Sequence, residues 1–329
     1  MPTLSMTPTL HHRSFSGRPA TTVGLGACKE SGVDDASVIA LAMQLGCTVI
    51  DTAPHYHKGA HERAVGEAVR IALDSHAIAR EQLIISTKVG RIPELVETTK
   101  VTLGFARLRT FIEERFITRG LFAWDDLAHS DHTFAPAYLR HSVAASLERL
   151  GVAQLDCVFL DAPELQQQIA SPTELARRML AAFETMEALC AARVVRCYGV
   201  ATASCDLGHL VTLARGVAGD HHHFAAAQLR LSMLRQDALA TVARAADLGL
   251  HVYVRGCLDG GAPGYQLPDA ICTALGDPTD AAVAIRWAQA APGVGTALFG
   301  SRDPRHIRAN LAAARLPLLD RSFYTGGPS

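Results

Sequence analysis

Short apolar runs alternate with longer amphipathic segments along almost the whole of this chain, and that alternation restricts its fold more than any other feature. A run of four to eight apolar residues between turn residues suits a strand covered on both faces. A longer segment with apolar residues every three or four positions suits a helix covered on one. The strand-like runs fall at Thr22–Gly26, Thr48–Asp51, Leu83–Thr87, Leu155–Leu160, Val194–Val200, Ala225–Leu229, His251–Val254 and Thr296–Phe299. Helical patterns follow at Asp34–Leu45, His61–Leu73, Tyr138–Leu150, Thr173–Ala191, Asp206–Arg215, Gln236–Leu248, Asp280–Ala290 and Pro304–Ala314. Eight strands, each followed by a helix, predict an α/β fold: a (β/α)8 TIM barrel in a single domain. An open doubly wound sheet would call for a G-x-G-x-x-G turn after an early strand. Here Gly24-Leu25-Gly26 runs on into Ala27-Cys28-Lys29, without that fingerprint.

On this reading residues 1–20 form an N-terminal arm or a hairpin plugging the barrel floor, 21–314 the barrel, and 315–329 a Gly/Pro/Ser tail. The stretch at about 89–137 is out of scale for a βα connection and carries a helical pattern of its own near Arg109–Phe116. It follows a strand, so it is expected over the C-terminal face, where barrel active sites are built. The net charge of −1 gives no field favouring nucleic acid or an anionic membrane, and no stretch of ~20 apolar residues could span a bilayer. The chain reads as cytoplasmic. Its eight scattered cysteines, none in C-x-x-C spacing, read as reduced thiols, and the fifteen histidines form no metal-binding motif.

The densest chemical signal is the run Val49-Ile50-Asp51-Thr52-Ala53-Pro54-His55-Tyr56-His57-Lys58-Gly59-Ala60-His61-Glu62, followed by Ile84-Ile85-Ser86-Thr87-Lys88. Adjacent strand ends face one pocket in a barrel, so Asp51, Tyr56 and Lys88 can meet there. A phenol with a pKa of about 10 is a poor acid–base near neutrality. A nearby ammonium favours the phenolate and lowers that value, and a carboxylate keeps the ammonium charged. Tyr56 is then the general acid and base, Lys88 its tuner and Asp51 the anchor. At the other end of the chain, Gly300-Ser301 close the last strand just before the helix near Pro304. Free N–H groups at a helix start form a natural phosphate site, here beside Arg302, Arg305 and His306, with Asn310 one turn on.

With these residues in view the sequence resembles the aldo-keto reductase family. The resemblance rests on D-T-A-x-x-Y-x-x-G-x-x-E from Asp51 to Glu62, then Thr87-Lys88, then Ser146-Leu147-Glu148-Arg149-Leu150-Gly151 to Asp156. It continues with Val195-Arg196-Cys197-Tyr198-Gly199-Val200 and closes with Gly300-Ser301 and Asn310, covering roughly Thr21–Ala314. It implies a nicotinamide-dependent carbonyl reductase, usually using NADP (NAD possible), acting on a small-molecule carbonyl or alcohol, with no metal. Ser301, His306 and Asn310 match positions that hold the adenosine end. Gln228 matches a glutamine that binds the nicotinamide carboxamide.

The chain departs from the family pattern at several places. Asp161, in Phe159-Leu160-Asp161-Ala162-Pro163, stands where the family has a histidine that gives a hydrogen bond to the substrate oxygen. An ionised aspartate can only accept, and losing one such donor typically costs on the order of 10²–10³ in rate. Asp161 could be protonated by burial and still donate, could pair with Lys88, could merely orient a neighbour, or could mark lost reductase activity. Ala201-Thr202 replaces serine-asparagine, leaving the Thr202 hydroxyl for the carboxamide. Arg255 replaces the aromatic platform, and Gly300 and His306 replace a lysine and an arginine. The leading expectation is an NAD(P)H-dependent oxidoreductase for an aldehyde, ketone or sugar-like carbonyl, or the reverse. The alternatives are a non-redox barrel enzyme working by proton transfer and a catalytically inactive nucleotide-binding barrel.

Overall fold

In the computed structural model, eight parallel strands close into a barrel with the neighbour order β10-β3-β4-β5-β6-β7-β8-β9. They are β3 (Val23–Gly26), β4 (Val49–Asp51), β5 (Ile84–Val89), β6 (Leu155–Asp161), β7 (Val195–Ala201), β8 (Phe224–Arg230), β9 (His251–Arg255) and β10 (Val294–Phe299). The structure describes residues 9–27, 35–95, 107–259, 267, 279–320 and 324. Cys28, Cys272, residues 96–106 of the long loop and most of the C-terminal tail therefore lie outside the described residues. The barrel predicted from the sequence is the fold observed.

Strand parity divides the apolar residues into two sets. Val49, Ile84, Cys157, Phe159, Cys197, Ala226, Tyr253 and Leu298 fill the barrel interior. Their neighbours Ile50, Ile85, Val158, Leu160, Val200 and Ala227 face outward onto the helices. Gly24 is small for a packing reason: a Cβ there would lie 2.8 Å from Leu298 Cδ2 and 3.1 Å from Val49 Cβ. The helices start where short polar side chains cap them. Ser171 accepts from Glu174 N ahead of Pro172–Ala191, Asp206 accepts from Gly208 and His209 N ahead of Leu207–Ala218, and Thr279 accepts from Ala282 N ahead of Asp280–Ala290.

Element ends differ from expectation where local bonds compete. β5 runs on to Val89, so Lys88 lies inside the strand. The helix expected from Gln236 begins at Leu239, because Ser232 and Arg235 exchange backbone bonds in a turn and the Gln236 side chain bonds Met233 O. The helix expected at Arg109–Phe116 is α-helical over 107–112 and widens into a π-turn at Glu113–Ile117. That segment has its own apolar cluster, in which Phe116 stacks on Phe122 with centroids 5.4 Å apart. The described cysteines are all free thiols. Among the described residues no helix is long and apolar enough to cross a membrane.

The N-terminal residues form an antiparallel hairpin, β1 (His12–Phe15) with β2 (Arg18–Thr21), whose Phe15 and Ala20 join the interior cluster. An ionic seat fixes the hairpin to the floor. Buried Asp156 on β6 takes Arg18 on one oxygen. On the other it takes Arg80 (2.8 Å) and the Ile85 N–H (3.0 Å), while Arg18 also donates to Leu83 O at 2.7 Å. Asp156→Ala leaves two guanidiniums without their carboxylate, and removing one partner of a buried pair typically costs about 3 kcal/mol. Urea unfolding should read a loss of that order; a loss under ~1 kcal/mol would show that apolar packing alone seats the hairpin.

Candidate active site

The end of β4 and the middle of β5 set the centre of the site. Asp51 is the last residue of β4 and pairs in register with Ser86. Lys88, two residues on, points to the same interior face. Its Nζ lies 2.6 Å from Asp51 Oδ2 and donates to Thr52 O at 3.0 Å, and Ser86 Oγ donates to Asp51 Oδ1 at 2.7 Å. Burial would push the Lys88 ammonium down, but Asp51, Tyr56 and Asp161 together outweigh it and hold it above its ordinary value.

Tyr56 opens a short 3₁₀ turn, Tyr56–Gly59, in which His57 and Lys58 take left-handed backbone angles (φ 49° and 52°) before the helix Ala60–Asp74. The turn brings the phenol ring under Lys88 Nζ, 5.2 Å from the ring centroid, and the His55 ring meets it edge-on at 4.6 Å. The helix is bolted to β5 by fully buried Glu62, which accepts from Thr87 Oγ1 and from Arg149 Nε, both at 2.6 Å. The glutamate of the opening motif thus fixes the strand residue next to Lys88. Lys88 acts on Tyr56 in the expected direction, but not with the expected net result. Burial pushes the phenol up, Asp51 and Asp161 add to it, and Lys88 with Arg255 pulls the other way without prevailing. The phenol is thus held above its ordinary value, in its neutral form.

Asp161 ends β6 at the same rim. Its Oδ2 lies 3.6 Å from Arg91 Nε and 3.9 Å from His55 Nδ1. Lys88 bonds Asp51 and Thr52 O instead, so the expected alternative of a direct Asp161–Lys88 pair is not what forms. Burial raises the carboxyl above the usual carboxylate range. Lys88, Arg91 and Arg255 oppose that rise, and Glu164 adds to it. The structure thus brings Asp51, Tyr56, Lys88 and Asp161 to one rim. Arg91, His55, Glu164 and the buried His132 behind Asp161 were not singled out from the sequence. His55 stood beside Tyr56 in the motif, and Arg91 lies three residues past Lys88; His132 sits in a loop with no pattern pointing to it.

The proposed nicotinamide side is built by β7, β8 and β9. Asp161 pairs with Ala201 and Ala201 with Gln228, so Gln228 stands at the height of Asp161. Its side chain is fully buried, and neither amide atom has a partner among the described residues. An orphaned amide at that depth fits a ligand carboxamide, which offers one donor and one acceptor in return. Thr202 does not stand free beside it. Its hydroxyl donates to Glu164 Oε2 at 2.9 Å and accepts from Ser204 and Cys205 N–H. Arg255, the last residue of β9, is half-buried, and its guanidinium has no ion-pair or hydrogen-bond partner among the described residues. Its charge reaches Tyr56 and Asp161.

Gly300 and Ser301 follow β10 at the start of the helix Pro304–Ala313. Ser301 Oγ accepts from Asp303 N at 3.2 Å, and Asp303 caps the helix through Arg305 N at 2.8 Å. Arg305 is folded back onto Asp303 in a two-pronged pair (2.7 and 3.1 Å), Arg302 and His306 are exposed, and Asn310 is buried.

The pattern of the Aldo/keto reductase family matches residues 23–325, and the chain belongs to that family. A D-threo-aldose 1-dehydrogenase from a Pseudomonas species is 27% identical over 173 residues, 52% of this chain and 44% of that protein. An aldo-keto reductase from Mycolicibacterium paratuberculosis is 35% identical over 86 residues, 26% of this chain and 27% of the other. The chain thus matches less than half the length of these curated relatives. Solved structures cover more of the chain and show the fold. A holo aldo-keto reductase from Bacillus halodurans has a TM-score of 0.67 at 19% identity, covering 96% of this chain and 95% of its own. An aldo/keto reductase from Klebsiella pneumoniae, in complex with NADP and acetate, has 0.61 at 20%, covering 97% and 94%.

Lys88→Met would leave the Asp51 carboxylate buried without its cation. It should destabilise the fold by about 3 kcal/mol, and the double variant Lys88→Met/Asp51→Leu should recover a large part of that. Denaturant midpoints of the three proteins decide it: a double variant as unstable as the single one would show that the pair is not energetically coupled.

Proposed function

We propose that this protein is an NAD(P)H-dependent oxidoreductase that interconverts a small aldehyde, ketone or sugar-like carbonyl and its alcohol. The observation that carries the reading is the buried Lys88–Asp51 pair, with Lys88 Nζ over the Tyr56 ring. NAD(P)H, when bound, supplies the hydride. Gln228 would hold its carboxamide. Ser301 and the helix start at Pro304 would hold the phosphate end, with Asn310 and His306 beyond it. Arg255 and Thr202, the latter through Glu164, wall the pocket between. Tyr56 gives its proton to the substrate oxygen, and Lys88 stabilises the phenolate left behind. Asp51 keeps Lys88 charged through the exchange. In the reverse direction the phenolate takes the hydroxyl proton back.

Asp161 would serve this step through its protonated form, the form that burial favours. A neutral carboxyl can donate to the substrate oxygen where a carboxylate would repel the charge building there. Its raised pKa sets the sign. The donor is present below that pKa and is lost as pH rises through it, so carbonyl reduction should weaken toward higher pH. Similarity to an aldose dehydrogenase favours polyhydroxylated substrates.

Tyr56→Phe should lower the rate by roughly 10²–10⁴. Asp161→Asn keeps a donor without titrating, so it should retain reduction of activated aldehydes and flatten the high-pH limb of kcat; Asp161→His should raise that reduction. An unchanged limb in Asp161→Asn would remove Asp161 from the chemistry. Titration with NADPH and NADH, followed by nicotinamide fluorescence, tests the cofactor directly. Binding of neither would redirect the reading to proton transfer without redox, by Tyr56 and Asp161.

Cofactor preference turns on Asp303. Its carboxylate occupies Arg305 and adds negative charge where a 2′-phosphate would approach. Asp303→Asn preserves the helix cap while releasing the guanidinium. NADPH affinity should rise by about fivefold, the scale of one exposed ion pair, with NADH affinity little changed. Equal gains for both nucleotides would show that Arg305 does not discriminate between them.

A further inference from the structure

We propose that His132 is a positioning residue for Asp161, and that its donor direction is imposed by Gln166 and Arg178, on the two helices Glu164–Gln167 and Pro172–Ala191 that follow β6. The inference rests on the proposed function for its catalytic meaning and on geometry alone for its structural part.

The chain of bonds has only one consistent direction. A guanidinium can only donate, and Arg178 NH1 donates to Gln166 Oε1 at 2.8 Å. That fixes which end of the Gln166 amide is oxygen. Its nitrogen, 2.9 Å from His132 Nδ1, must therefore donate, so Nδ1 accepts. The remaining proton of the neutral ring sits on Nε2 and is given to the Asp161 carbonyl at 2.7 Å. His132 and Gln166 are fully buried. Burial pushes the His132 ring down to about 4, so it stays neutral across the working range.

The carbonyl held in this way is a sensitive one. Asp161 is the last residue of β6, and Ala162 turns the chain sharply with a left-handed φ of 52°. The Ala162 N–H is bonded to Ala201 O at 2.7 Å. With His132 on the carbonyl, both ends of the peptide group after Asp161 are fixed. The carboxyl is thereby kept among Lys88, Arg91, His55, Arg255, Glu164 and Tyr56, the charged and titratable groups that face it.

The approach of His132 has left its mark on Gly90, whose φ is +117°. A Cβ there would lie 3.0 Å from His132 Nε2, 3.3 Å from Asp161 O and 2.6 Å from Phe134 Cε1. Two further bonds hold the long loop: Thr133 N bonds Gly90 O at 2.8 Å, and Arg178 NH2 reaches Asp125 O at 2.7 Å. One arginine thus joins the loop to the peptide that carries Asp161.

The test uses the full-length protein with His132→Phe, Gln166→Leu, Arg178→Met and the conservative His132→Gln, whose amide nitrogen can take the place of Nε2. Three quantities are read: kcat against pH for an activated aldehyde, the NADPH dissociation constant, and the Asp161 carboxyl titration by ¹³C NMR. His132→Phe and Gln166→Leu should lower kcat by roughly tenfold or more and displace the Asp161 titration by about one pH unit. NADPH binding should stay within about twofold, and His132→Gln should restore most of both losses. If His132→Phe does not fold, Arg178→Met reads the same chain through Gln166 and should move the titration in the same direction. Unchanged titration and kcat in the folded variants would overturn the proposal, as would a His132→Gln that rescues nothing. A wild type that reduces no carbonyl would sink the proposed function alone, since the Asp161 titration still reads the positioning.

Discussion

A buried ammonium–carboxylate pair, Lys88 with Asp51, is the constraint around which the rim of this barrel is arranged. Desolvating two charges costs several kcal/mol per ion unless nearly every polar atom finds a partner. Here both Asp51 oxygens are used, by Lys88 and by Ser86, and Lys88 also donates to Thr52 O. Those partners lie two residues apart on β5, or next to each other at the end of β4. They can converge only because the strands are parallel, in register and closed into a barrel. Glu62 extends the same satisfaction outward, accepting from Thr87 on one oxygen and from Arg149 on the other. The pair thus demands the fold around it, and the fold sets Tyr56 beside it, its ring against Lys88 Nζ.

What Tyr56 and Asp161 become follows from competition between burial and charge. Burial favours the neutral form of both acids, and three cations reach the site to oppose it: Lys88, Arg255 and, at Asp161, Arg91. Burial wins at each. A single lysine beside a phenol does not make a phenolate when the same lysine already serves a carboxylate 2.6 Å away. Both groups are thereby held above their ordinary values by burial, against the pull of the cations around them.

How much was legible in the sequence depends on the range of the interaction. The barrel was, because strand parity and helical period are written locally in runs such as Leu155–Leu160 and Pro304–Ala314. The grouping of Asp51, Tyr56 and Lys88 was also legible, since register alone carries strand ends to one rim. The states of those groups were not, because a pKa sums burial with charges from several elements. Thr202 and Arg305 show the same limit at smaller scale. Each carries the chemistry expected for a cofactor contact, yet Thr202 spends its hydroxyl on Glu164 and Arg305 its guanidinium on Asp303. One bond is between residues 38 apart and the other between residues two apart, and neither follows from composition or period. His132 lies furthest from legibility. It is 29 residues from Asp161, in a loop without periodicity, and meets it only through the peptide carbonyl.

That last contact bears on how a family site can change a residue so close to the chemistry without losing its shape. The replacement at Asp161 alters a side chain, whereas His132 holds the backbone of the same residue, so the two functions are separable. A rim fixed through peptide groups tolerates a new side chain at the strand end, because strand register, the Ala162 turn and the long loop are indifferent to it. The consequences then fall on electrostatics alone. Arg91, on the loop side of β5, and Arg255, across the barrel on β9, supply positive charge to a carboxyl that a histidine would not have needed. The carboxyl at the end of β6 and the arginines that reach it thus act on one another through charge, while His132 and the Ala162 turn hold the backbone that carries it.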